Sequence, residues 1–244
     1  MSQVNLASAR VGAGSTFTSR ALTATALAWA VTAAGAAPEQ ATSADGSWQL
    51  QGTGSVLELR DSQTRIVKRF AVPAADHGAS PQVARIHHAA LRRSFVVTFH
   101  HLPQVWEISL DPHAEPLYQG LVHDFRMGEG VSEPGFLGVR RMRLPAPLPA
   151  SALDASGSYL VGRAADSAAG RAVLHLVHLD VRRSIARFDC DADPDLSAAH
   201  PGPHADRPVL VVPDRRGGPA LRIDLDRLGL LDTPACTGAK IGAP

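Results

Sequence analysis

The segment Ser94–Asp111, SFVVTFHHLPQVWEISLD, decides how this chain is read. Ser94–His101 opens as an apolar run, and Val105–Asp111 alternates roughly between apolar and other residues. Apolar alternation over a short run fits a half-buried β-strand. The connection Leu102-Pro103-Gln104 is short and carries a turn residue. The closing Asp111 can bond its own backbone and open the next turn.

The same pattern recurs on both sides of this segment. VLELRD (Val56–Asp61), LHLVHLD (Leu174–Asp180) and LRIDLD (Leu221–Asp226) are also strands that end in Asp. Apolar strands precede two of these, SYLVGRAAD (Ser158–Asp166) and RPVLVVPD (Arg207–Asp214). Returning strands follow two, RIVKRFAV (Arg65–Val72) and SIARFDC (Ser184–Cys190). The terminal Asp residues at 61, 111, 180 and 226 lie 50, 69 and 46 residues apart. Propeller blades repeat every 40–50 residues or so, roughly. The longest step holds an insertion, Pro112 to Pro149, rich in Pro and Gly. The expected fold class is therefore all-β, a partial or small β-propeller made of about four antiparallel blades. It would occupy residues 37–231, with 232–244 as a loose C-terminal tail. An antiparallel sandwich also gives short strands with frequent turns. The Asp-terminated repeat favours blades.

Composition excludes several classes. The 244-residue chain has a net charge of +1 and 5% aromatic residues. A nucleic-acid partner would need a concentrated basic face, and none is visible. The N-terminus reads as a signal peptide over residues 1–36: Arg10 and Arg20, then a weakly apolar stretch Ala21–Ala34, then an A-x-A-like site at Ala34-Gly35-Ala36. A disordered Ala-rich segment is the alternative. The apolar run is too short for a membrane span, so a periplasmic location with no membrane span is expected. Cys190 and Cys236 could pair in an oxidising compartment or remain two thiols. No C-x-x-C, C-x-x-C-H, P-loop, G-x-S-x-G or dinucleotide fingerprint occurs. His200 and His204 sit four apart in HPGPH, but prolines break any helix there and no metal partner stands nearby, so no metal site is expected.

One run carries a family resemblance. Trp106-Glu107-Ile108, then Asp111-Pro112, Gly120-Leu121-Val122-His123-Asp124, Gly128-Glu129-Gly130 and finally Arg140-Arg141 form a specific series. It resembles the haem d1-binding β-propeller proteins: the C-terminal domain of cytochrome cd1 nitrite reductase and related haem d1 biosynthesis proteins. The likeness covers about residues 83–183. Those propellers have eight blades around a central tetrapyrrole. The resemblance implies an exported haem d1-associated protein that binds haem d1 or its precursor in denitrification or haem d1 maturation.

It also implies roles for particular residues. His123 would lie near the distal face of the macrocycle, where an imidazole can deliver a proton because its pKa is near neutrality. Asp124 would orient it. His88 could reach the same pocket, as could its neighbour His87. Arg126, Arg140, Arg141 and Arg163 would take the carboxylates of haem d1, which a guanidinium fork matches. Each has a plainer reading: a loop histidine bonded to backbone, a polar strand end, a solvated basic rim. Trp106 reads as core, and His100 and His101 as turn residues.

Oxidoreductase-related activity is expected only if haem d1 is bound, because the cofactor carries that chemistry. The implied partners are the tetrapyrrole and another haem d1 biosynthesis or nitrite reductase protein. The competing reading is a non-catalytic truncated propeller acting as a protein-interaction module. It gains from the lack of any counterpart to the early blade that supplies the family's proximal iron ligand. A third reading is a remnant whose open sheet edges are prone to pairing.

Overall fold

The computed structural model describes residues 38–74, 78, 82–118, 132–165, 171–203, 207–231 and 236–240. The segment read as a signal peptide lies outside them. Four antiparallel sheets follow one another along the chain, each built from consecutive strands in meander order. The first holds β1 (Gln40–Thr42), β2 (Trp48–Thr53), β3 (Val56–Asp61) and β4 (Ile66–Ala71). The second holds β5 (Val83–Ala89), β6 (Ser94–Phe99), β7 (Gln104–Ser109) and β8 (Val139–Arg143). The third runs through β9 (Ala150–Leu153), β10 (Tyr159–Arg163), β11 (Ala172–His178) and β12 (Arg183–Cys190). The fourth comprises β13 (His200–Gly202), β14 (Val209–Val212), β15 (Leu221–Asp224) and β16 (Gly229–Leu230). A last strand, β17 (Cys236–Lys240), returns to the third sheet and pairs with β12. The protein is all-β, built as propeller blades, and no α-helix occurs among the described residues.

The hairpins follow from the sequence. Thr53 pairs with Val56 across a two-residue loop, and Gly54 takes φ 59° there. A side chain at that position would be strained. The Asp-terminated strands of the sequence are the third strands of the four blades. Asp61 accepts the backbone N–H groups of Gln63 (2.9 Å) and Arg65 (3.0 Å), and Asp111 accepts that of His113 (3.1 Å). In the fourth blade Asp224 does this instead of Asp226, accepting from Asp226 at 3.0 Å and Arg227 at 2.8 Å. In the third, Asp180 reaches to the second blade and accepts from Arg92 Nη1 at 2.6 Å.

Three hydrophobic cores join successive blades. Leu50, Leu57 and Leu59 of the first meet Phe95, Val97, Phe99 and Trp106 of the second. Val96, Val105 and Met142 of the second meet Leu160 and Val177 of the third. Leu174, Leu176 and Phe188 of the third meet Leu210, Val212 and Ile223 of the fourth. Successive strand residues face opposite sides of a sheet. Strand β6 therefore divides its side chains between two cores, which is why all six of its residues are buried. Each such Leu, Val or Phe contributes about 1.5–3 kcal/mol on burial.

The faces at the two ends of this series differ. On the first blade the residues alternating with the core set are Gln49, Gln51, Glu58 and Arg60, and Glu58 pairs with Arg60 (2.6 Å) and Arg69 (3.0 Å). On the fourth they include Arg222 and Asp224, with Arg207 on Asp224 at 3.3 Å. Among the described residues no hydrophobic core joins the first blade to the fourth.

Three segments depart from the sequence reading. The insertion 112–149 contains β8, whose VRRMR sequence hides a strand pattern behind three arginines. Residues 200–202 of the HPGPH motif form β13. The segment expected as a loose tail contains β17, whose Cys236 lies directly opposite Cys190 on β12 and is disulfide-bonded to it. The strand follows from that cross-link and from the free edge of β12, neither of which local sequence shows.

Candidate functional site

The pairing registers place each loop at one end of its own blade, and the Arg92–Asp180 bond between the β5–β6 and β11–β12 loops aligns the ends of the second and third blades. The β5–β6 and β9–β10 hairpins, the β11–β12 hairpin and the long β7–β8 connection share one end. The β6–β7 and β10–β11 hairpins share the other. Residues near the first end come from several blades, as a composite site requires.

A groove of about 850 Å³ lies beside β8, the outer edge strand of the second blade. Arg140, Arg141 and Arg143 of β8 line it, with Arg182 from the β11–β12 hairpin and a wall that includes Glu115 and Tyr118. Consecutive strand residues point to opposite faces. A groove lined by both Arg140 and Arg141 therefore wraps the strand's free edge. The Arg141 guanidinium sits over the Trp106 ring, 4.8 Å from its centroid, and such a contact anchors the cation. Trp106 itself is fully buried, and its indole N–H donates to Gln104 Oε1 at 2.8 Å. The Arg140 Nε is buried with no hydrogen-bond partner among the described residues. A buried unsatisfied donor is costly, and an acceptor entering the groove would relieve it. Among the described residues, four arginines against one glutamate make the lining cationic, the chemistry that receives carboxylates.

The groove wall leads into the segment that carries the His-Asp motif. Leu117 and Glu133 bridge reciprocally through backbone N–H···O bonds of 2.8 Å. His123, Asp124 and Arg126 fall between them and lie outside the described residues.

The other candidate residues stand apart from the groove. His88 ends β5 near the first end, its ring 5.5 Å from that of Phe95. It borders a small cavity of about 240 Å³ with Trp48, Asp45 and Arg93. Burial lowers its pKa, and Asp45 opposes the fall. His87 faces the third blade, its Nε2 2.9 Å from Ser151 Oγ, which is 3.2 Å from Thr98 Oγ1. Burial pushes the His87 imidazole down to about 4, and the Arg85 guanidinium adds to the fall. At neutral pH the ring is therefore uncharged, a spacer within the blade interface. Arg163 lies at the opposite end of its blade from the β9–β10 hairpin and donates to Asp193 Oδ1 at 2.5 Å. His100 and His101 occupy the β6–β7 turn.

The structure thus brings Arg140 and Arg141 together, and adds Arg143 and Arg182. The sequence reading missed Arg143, which lies two residues beyond Arg141 on β8. Arg182 comes from the next blade, and no local pattern marks it. Among the described residues no group of three or more His, Cys, Asp or Glu could hold a metal ion. No helix among them is long and apolar enough to cross a membrane.

No protein-family model matches the chain, and no curated protein sequence matches it. Solved structures do. The dihydro-haem d1 dehydrogenase NirN, solved in complex with DHE, matches with a TM-score of 0.59 and 22% identity over 79% of this chain. The chain spans 36% of the NirN chain. Kluyvelomyces marxianus Hsv2 matches with a TM-score of 0.41 and 11% identity, over 75% of this chain and 47% of its own. The β-propeller domain of Myceliophteria thermophila Cps50 (Swd1) matches at 0.39 and 13%, over 79% and 71%. The likeness to NirN shows the propeller fold. It falls within the group of proteins that the Trp106–Arg141 series resembles.

Proposed function

We propose that this chain is an exported haem d1-associated propeller protein that binds haem d1 or its precursor, in denitrification or in maturation of that cofactor. The observation that carries this reading is the arginine-lined groove beside β8. Its volume, about 850 Å³, suits a ligand larger than most metabolites, since ligand pockets span about 300–1,000 Å³. The residues present fit the carboxylates of such a macrocycle. Arg140 holds a buried Nε without a partner among the described residues, and Arg141 is steadied against Trp106. Arg143 and Arg182 flank them.

When bound, the iron macrocycle would supply whatever redox chemistry takes place. The chain's own residues would bind and orient it. In this reading His123 holds a proton at an imidazole nitrogen near the ligand, and Asp124 fixes the orientation of that ring. Arg126, next to that motif, adds a fifth cation. His88 would border the ligand only from the first end of the blades. The protein would work with another haem d1 biosynthesis or nitrite reductase protein in the periplasm.

A second reading, a non-catalytic interaction module, draws support from Arg163. Its guanidinium is engaged by Asp193 and is not offered to a ligand.

The test is a titration of the purified protein with haem d1, following the visible spectrum. A saturable shift that is lost in the double variant Arg140→Ala, Arg141→Ala supports binding at the groove. No shift with folded protein, or a shift indifferent to both arginines, overturns it.

A further inference from the structure

Resting on that reading, we infer that the first blade sets the groove wall that holds Glu115 and Tyr118, with Lys68 and Gly135 as positioning residues that act through the β7–β8 connection. The outgoing limb of that connection, residues 114–118, supplies Glu115 and Tyr118 to the groove. Its returning limb, residues 133–138, runs back to β8. The two limbs are clasped. Leu117 and Glu133 exchange both backbone bonds at 2.8 Å. Beside them the limbs meet so closely that a Cβ on Gly135 would overlap the carbonyl oxygens of Ala114 and Glu115. Only glycine lets two backbones come this near. The Leu117 side chain packs on Gly138 in the same way.

The returning limb is in turn fastened to the first blade. Leu137 is buried and joins the core of Leu50, Leu57 and Phe70. The Phe136 ring meets that of Trp48 edge-on, with centroids 6.1 Å apart. Lys68 of β4 donates from Nζ to the Leu137 carbonyl at 2.9 Å. The same ammonium lies 5.3 Å from the centre of the Phe70 ring, within cation–π reach. Leu137 holds φ 55°, a conformation that a leucine keeps only where its surroundings impose it. Its N–H donates to the Ser109 carbonyl at 2.9 Å, so β7 and β4 hold its two backbone groups. Lys68 does not line the groove. It reaches the wall through Leu137, then Gly135, then residues 114–118. The same strand brings Ala71 to the groove, so the first blade both lines the site and sets it. A wall displaced by about 1 Å weakens binding without losing any of its residues.

The experiment uses the whole chain with two readouts: the visible titration with haem d1, and hydrogen exchange of the Leu117 and Glu133 amides followed by nuclear magnetic resonance. Lys68→Met removes the donor and keeps the aliphatic stem. It should weaken haem d1 binding about fivefold and speed exchange at both amides, while exchange in β6 and β11 stays as in the parent. Lys68→Arg should restore both, because a guanidinium can still donate to the Leu137 carbonyl. Gly135→Ala should act in the same direction and more strongly, about tenfold or beyond. Arg69→Ala, next on β4 but paired with Glu58 on the blade's outer face, should change neither readout. If the parent binds haem d1 and Lys68→Met behaves like Arg69→Ala, the inference is overturned while the reading stands. The same holds if exchange quickens with affinity unchanged, or if Lys68→Arg restores nothing. If Gly135→Ala does not fold, the two Lys68 variants decide. If the folded parent binds no haem d1, the reading itself fails and the inference with it.

Discussion

The Nε of Arg92 donates to Glu107 Oε1 at 2.9 Å, and Glu107 is 4% exposed. Ser94 Oγ donates to the same oxygen at 3.1 Å, and Arg92 Nη1 reaches across to Asp180 of the third blade at 2.6 Å. One guanidinium therefore satisfies a buried carboxylate in its own blade and clamps the next. Burial alone would weaken its charge, but its bonds to Glu107 and Asp180 outweigh that and raise its pKa. Removing one partner of a buried pair leaves the other charge uncompensated. Arg92→Ala should cost about 3 kcal/mol, measured by urea denaturation. A loss below about 1 kcal/mol would class the pair with ordinary surface bridges and sink this account.

The pair on the first blade's outer face should behave differently. Arg69 bonds Glu58 at 3.0 Å, but its side chain is 63% exposed. Exposed pairs contribute about 0–1 kcal/mol. Arg69→Ala should shift the denaturation midpoint little, and its effect should shrink further at high salt.

The buried imidazole of His87 predicts an acid sensitivity. Its folded pKa of about 4 lies below the ordinary 6.5. The unfolded chain then binds the proton more readily than the folded one between those values. Stability from this group is fully present above about pH 6.5 and is lost as pH falls toward 4, by at most about 3 kcal/mol. His88 and His100 are lowered in the same direction, chiefly by burial. The specific test is the slope of stability between pH 7 and pH 5. His87→Gln should flatten it relative to the parent protein, and an unchanged slope would show that His87 is not the group responsible.

The Cys190–Cys236 bond closes a segment with a sequence separation of 46. Chain-entropy reasoning gives it about 4 kcal/mol at most. Reduction, or Cys236→Ser, should lower the denaturation midpoint. It should also raise amide exchange along β12, whose outer edge β17 covers. Equal exchange in oxidised and reduced protein would show that β17 stays docked without the bond.

Much of the fold was legible because third strands carry local signals. Val56–Asp61, Val105–Asp111, Leu174–Asp180 and Leu221–Asp226 each cover most or all of the third strand of a blade. The first strands of three blades were harder to see. Gln40–Thr42, Ala150–Leu153 and His200–Gly202 are three or four residues long and rich in Ala, Gln, Thr or Pro. Nothing in them announces a strand except the neighbour they pair with. Edge strand β8 was masked by its arginines, which serve an edge well by discouraging unwanted pairing. The candidate site was legible in part. Arg140 and Arg141 stood out through the family series, but their groove needed Arg182, which is brought in by blade-to-blade packing. Arg163 was expected to take a carboxylate of the ligand, but its partner Asp193 lies 30 residues on in the same chain.

The disulfide also changes the topology of the molecule. Cys190 precedes the fourth blade and Cys236 follows it, so the fourth blade is a covalent ring hung from the third. If that blade melts, its two ends stay anchored at one point on β12. A protease cut within it would open the ring without releasing a fragment, because the sulfur bridge still joins the pieces. The chain can thus lose the fold of its last blade while the bond keeps Cys236 tied to Cys190 at the end of β12.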